Sequence, residues 1–104
     1  MIPKQFKLLN YTWHVVMHPG PVPAEDGDMV KGLCDYDRRT ITLDATLEPA
    51  VLWHAWHHEL MHAVFYALGR YEQSDDEGLV DSVGGALAQV FPCPYEQFAL
   101  TLGN

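Results

Sequence analysis

With 104 residues the chain has room for one domain, residues 1–104, with a single core and a single site. Its 6 basic and 14 acidic side chains give a formal charge of −8, which excludes recognition through phosphate, so neither nucleic acid nor an anionic membrane is an expected partner. A hydrophobic share of 48% with 12% aromatics belongs to a chain that packs a core, not to a disordered one.

From the N-terminus, residues 11–17 alternate, with Tyr11, Trp13, Val15 and Met17 on one side and Thr12, His14 and Val16 on the other. That is the period of a half-buried strand. Residues 18–28 hold three prolines and two glycines among acids and read as a surface loop. Two further strands are expected at 29–34 and 40–44, joined as a hairpin through the polar stretch 35–39, with Ile41 and Leu43 facing the core.

After Asp44 the spacing turns helical. Thr46 or Glu48 is placed to cap a long helix, Pro49 suits its first turn, and Gly69 after Leu68 suits its end. At 1.5 Å per residue this helix is about 30 Å long and runs through the middle of so small a domain. Ser74-Asp75-Asp76-Glu77 has capping-box spacing and opens a second helix, with Leu79, Val80, Val83, Leu87 and Val90 as its apolar stripe and Phe91-Pro92 as its end. The pair Gly84-Gly85 within it points to another backbone passing close by. A short terminal helix is expected over 94–102. No apolar run reaches the roughly 18 residues that span a bilayer, and the two cysteines, Cys34 and Cys93, lie too far apart for a metal knuckle. A reduced, cytoplasmic setting is expected.

The chemistry sits in the central helix, at His58-Glu59-Leu60-Met61-His62. In an H-E-x-x-H helix the two histidines lie about 40° apart around the axis and one turn apart along it, so both imidazoles reach one ion. The glutamate, about 100° from His58, reaches a water on that ion without being a ligand. Catalytic zinc takes three protein ligands and leaves a position for water, so a third must come from downstream. Glu77 is the best placed, and with Asp81 at i+4 it puts two carboxylates on one helical face.

H-E-x-x-H followed by E-x-x-x-D resembles the gluzincin branch of zinc metallopeptidases, whose familiar member is thermolysin. The resemblance implies Zn²⁺ as cofactor, His58, His62 and Glu77 as its ligands, Glu59 as the catalytic base, and Asp81 as the residue that orients His58. The order of strand, hairpin, H-E-x-x-H helix and acidic helix is also similar to that of the small metallopeptidases of phages and prophages. The implied fold is a minimal α+β zincin, with a small antiparallel or mixed sheet packed on the central helix and a second, ligand-bearing helix. The implied activity is peptide-bond hydrolysis in a peptide or protein substrate, which would lie extended beside residues 40–44 as a strand added to an exposed sheet edge. In that family a tyrosine or histidine stabilises the oxyanion, and Tyr66 and Tyr71 are the tyrosines available. Only 14 residues separate His62 from Glu77, and the chain has no second lobe to wall off a deep cleft.

Each assignment has a plainer rival. Glu77 can be the glutamate of a Ser74 capping box, in which case Asp81 or Asp76 replaces it as ligand. His54 and His57 read as surface or cleft-rim residues, Cys34 and Cys93 as buried fillers, and Trp13, Trp53 and Trp56 as core mass. For the whole chain, the alternatives are a non-enzymatic zinc-binding interaction protein with a structural or vestigial metal, and a zinc hydrolase of non-peptide substrates.

Overall fold

The computed structural model describes residues 2–94. The strands are β1 (Gln5–Leu8), β2 (Tyr11–His18), β3 (Val22–Pro23), β4 (Met29–Val30), β5 (Gly32–Asp35) and β6 (Thr40–Asp44), followed by the helices α1 (Pro49–Ala67), α2 (Tyr71–Asp75) and α3 (Glu77–Val90). The protein is α+β. Four strands form a mixed sheet in the order β1-β2-β6-β5, and β3 and β4 make a separate two-stranded ribbon.

The sheet is mixed because β2 and β6 run parallel, with Val15 opposite Ile41 and Met17 opposite Leu43, while β1 and β5 flank them antiparallel. The parallel pair requires a crossover, which the ribbon and β5 supply. In the register Leu8 faces Tyr11, so Leu9 and Asn10 alone turn the β1–β2 hairpin, both at positive φ as a type I′ turn demands. The sequence reading did not separate β1, because a leucine in the left-handed region disguises the turn.

Alternation along the strands gives one apolar face. Phe6 and Leu8, Trp13 and Val15, Ile41 and Leu43, and Cys34 all turn towards α1, where Ala55, Trp56 and Ala63 complete the core. Ile41 and Leu43 are fully buried, as expected, whereas Tyr11 and Met17 at the ends of β2 are exposed. Helix α3 packs on α1, so α1 is covered by the sheet on one side and by α3 on another.

That double cover explains why α1 lacks a clean polar face. His57, expected at the surface, is buried against the rings of Trp53 and Trp56, and its Nδ1 donates to the Trp53 carbonyl over 2.9 Å. The close approach anticipated from the paired glycines occurs at Gly84, where a Cβ would stand 3.0 Å from the main-chain N and Cα of His58.

The ends of α1 are fixed locally. The first-turn proline is present and Glu48 is the N-cap, but Glu48 makes no side-chain cap bond. Thr46 is not a cap either: its amide and hydroxyl both donate to the buried Asp44 carboxylate, which ties the end of β6 to the entry of the helix. At the other end Gly69 at φ 74° donates to Tyr66, and the Arg70 amide to Phe65, the two bonds of a Schellman motif.

The expected Ser74 capping box is replaced. Ser74 lies inside α2, 1% exposed, and Asp76 caps α3 by accepting from the Leu79 amide at 3.0 Å. Along α3, Val80 is buried as expected, but Leu79 and Val90 are exposed. Among the described residues no helix is long and apolar enough to cross a membrane. The terminal helix expected over 94–102 lies, from residue 95 on, outside the described residues.

Candidate metal centre and its cavity

Helix α1 presents His58 and His62 one turn apart, and the first turn of α3 brings Glu77 to both. One Glu77 oxygen lies 3.0 Å from His58 Nε2 and the other 3.1 Å from His62 Nε2. Potential ligand atoms of all three residues lie within 4.8 Å of one another. Glu77 carries no capping duty, since Asp76 has it, and its carboxylate at the helix N-terminus is favoured by the helix dipole.

The outer nitrogens of both rings are held. His58 Nδ1 donates to Asp81 Oδ1 over 3.0 Å, and His62 Nδ1 donates to the main-chain carbonyl of Ser74 over 2.6 Å. Ser74 also donates its hydroxyl to the His62 carbonyl over 3.0 Å, and Tyr36, from the β5–β6 hairpin, donates its own hydroxyl to Ser74 Oγ over 2.7 Å. Asp81 Oδ1 is shared, because His54 Nε2 also reaches it at 3.1 Å. Hydrogen bonds from His58, and more weakly from His54, hold the Asp81 carboxyl below its usual range.

This arrangement tests whether a metal ion fits. The Ser74 carbonyl can only accept, so in a neutral ring the His62 proton sits on Nδ1 and Nε2 keeps a lone pair. The same holds for His58 against the Asp81 carboxylate. Both lone pairs then face the oxygens of Glu77, an arrangement that needs positive charge between them, supplied by ring protonation or by a cation. Ligand atoms on a tetrahedral zinc lie about 3.4 Å apart, and two imidazole nitrogens with one carboxylate are a known catalytic donor set. The donor set and its closeness, with ligand atoms of all three residues within 4.8 Å of one another, suit a divalent cation at this point. Neither Asp76 nor Asp81 stands in for Glu77: the first caps α3 and the second braces His58.

Glu59 stands beside this cluster and outside it. Its Oε2 is 3.9 Å from His58 Nε2, and its side chain is 10% exposed. Burial pushes its pKa up to about 7, with His58 pulling it down and Glu77 adding to the rise. The carboxylate rests against β5, where Gly32 leaves the space. Burial likewise pushes the Cys34 thiol far up, which makes it an inert neighbour.

The cluster opens on a cavity of about 980 Å³ bounded by β4 and β5 on one side and α1 on the other. Met29, Val30, Leu33, Val51 and Ala55 make its apolar part, and Glu59, His62, Glu77 and Asp81 lie along its polar part. His54 lines it, as a rim residue should. Tyr66 and Tyr71 do not: Tyr66 stacks on Tyr36 at 4.3 Å, and Tyr71 leans on Tyr66. Tyr36 is the tyrosine that borders the cavity. The strand 40–44, expected to offer an edge, is β6 and is paired on both sides. The edge that faces the cavity belongs to β5.

Sequence reasoning missed Tyr36, Ser74 and Gly32. A glycine inside a strand pattern is a recognised sign of close approach, so Gly32 was within reach. Tyr36 and Ser74 had no local sign, because their roles come from contacts 38 and 12 positions away. No protein-family model, curated protein or solved structure matches the chain.

Proposed function

We propose that the chain is a zinc-dependent metallopeptidase of minimal zincin type, with His58, His62 and Glu77 holding the ion and Glu59 serving as general base and acid. The observation that carries this reading is the convergence of both Nε2 atoms on Glu77 while both Nδ1 atoms are tied down behind them. Two further features favour hydrolysis over a structural metal. Among the described residues the group of potential ligands has three members, the number of an open catalytic site, whereas structural zinc usually has four. It also borders a large cavity and not packed core.

Zinc held by His58, His62 and Glu77 would supply Lewis acidity to the scissile carbonyl and to water. The chain's own residues do the rest. An extended peptide adds to the edge that β5 leaves unpaired among the described residues, which fixes its backbone by main-chain hydrogen bonds beside the base. Glu59 takes a proton from the attacking water as the new carbon–oxygen bond forms, then gives it to the departing nitrogen as the carbon–nitrogen bond breaks. A carboxylate whose pKa lies near 7 suits both halves of that task at neutral pH. Ser74 and Asp81 keep the imidazoles aimed throughout.

The test is hydrolysis of unfolded casein by purified protein loaded with zinc, by zinc-loaded Glu59→Gln, and by protein stripped with a chelator. Cleavage by the first alone is expected. Equal cleavage by wild type and Glu59→Gln would remove the mechanism.

A further inference from the structure

We infer that Gly32 is a positioning residue for Glu59: the absence of a side chain at this point of β5 sets where the carboxylate sits. The inference rests on the reading of Glu59 as base, but its structural core can be tested without it. A Cβ built at Gly32 would lie 2.9 Å from Glu59 Cγ, 3.2 Å from Glu59 Oε2 and 3.1 Å from Leu43 Cδ2. Its φ is not in the positive range, so the need for glycine here is one of space and not of backbone conformation.

Which neighbour would yield follows from burial. Leu43 is fully buried between β2 and β5 and has nowhere to go. Glu59 borders the cavity, so its side chain can swing outward. An alanine at position 32 therefore lifts Glu59 off the strand and leaves the ligands alone, since His58 and His62 are braced from α3 and α2 and Glu77 meets both rings. A displacement of about 1 Å at a reacting group lowers turnover about 100-fold.

The experiment combines Gly32→Ala with Glu59→Gln and Glu59→Ala. Gly32→Ala should bind zinc(II) within about 2-fold of wild type and lower kcat on casein-derived peptides about 100-fold with KM little changed. In a Glu59→Gln background it should add no further loss of activity. Independently of turnover, Gly32→Ala should lower the Tm of the metal-free protein by about 5 °C. That drop should shrink in the Glu59→Ala background, where the opposing Cγ and Oε2 are gone and only the Leu43 contact remains. The same Tm loss in both backgrounds would overturn the inference. If the coupling appears in a protein that cleaves nothing, the contact stands and the peptidase reading falls.

Discussion

The ring Nδ1 of His62 donates to the carbonyl of Ser74 over 2.6 Å, and that bond decides which nitrogen of the imidazole is left for an ion. The carbonyl belongs to the main chain, so substitution of Ser74 alone does not remove it. His62→Ala is the decisive change. Wild-type protein should carry about one zinc per chain after purification, and His62→Ala none. Elemental analysis of both reads this directly, and equal zinc in the two would remove the site.

Asp81 braces His58 from behind while His54 shares the same oxygen. Loss of a carboxylate that orients a ligand histidine typically weakens metal binding about 10 to 100-fold. Asp81→Ala should show that loss in competition with a chromogenic chelator, without abolishing binding. An unchanged affinity would mean that His58 is held by packing alone.

Buried Glu59 ties stability to pH in the metal-free protein. Its pKa is about 7 in the fold against an ordinary 4.5, so folding favours the protonated form. The associated stability is fully present below about pH 4.5 and is lost as the pH rises through about 7, on the order of 3 kcal/mol in all. Glu59→Gln removes the ionisation. In urea unfolding the variant should gain on wild type between pH 5 and pH 8 while still binding zinc; parallel stability profiles would contradict the burial argument.

Gly84 and Gly85 are neighbours with different duties. Alanine at either gains up to about 1 kcal/mol in helix propensity. At position 84 the new methyl meets the backbone of His57 and His58 at 3.0–3.1 Å, which neither helix can relieve without moving. Gly84→Ala should destabilise the fold by about 1–3 kcal/mol and weaken zinc binding, because α1 and α3 each carry ligands. Gly85→Ala meets only the edge of the His54 ring, at 3.3 Å, and should be tolerated. Thermal unfolding of both variants makes the comparison, and equal effects would disprove it.

The sequence was most legible where chemistry follows from short spacing. His58, Glu59 and His62 owe their juxtaposition to a single turn of α1, and Ile41 and Leu43 to strand alternation. Glu77 was singled out by analogy of pattern, and the fold brings it to both histidines; its local rival, the capping box, was misplaced because Asp76 is an equally good cap two residues later. His57 and Ser74 went astray for a shared reason: a polar residue type suggests exposure, yet both are buried, His57 with Nδ1 bonded to the Trp53 carbonyl one turn back and Ser74 with its hydroxyl bonded to the His62 carbonyl twelve positions away. The edge strand was also misread, since periodicity fixes faces and says nothing of strand order.

All three residues of the candidate metal centre lie in the helical half of the chain, after residue 49, whereas the floor beneath Glu59 comes from the strand half that precedes it. On the proposed reading the ligands and the base all come from the helices, and only the seat of the base comes from a strand. A preparation with full zinc occupancy certifies the helices alone; whether the strands have closed over the base must be read by a separate assay.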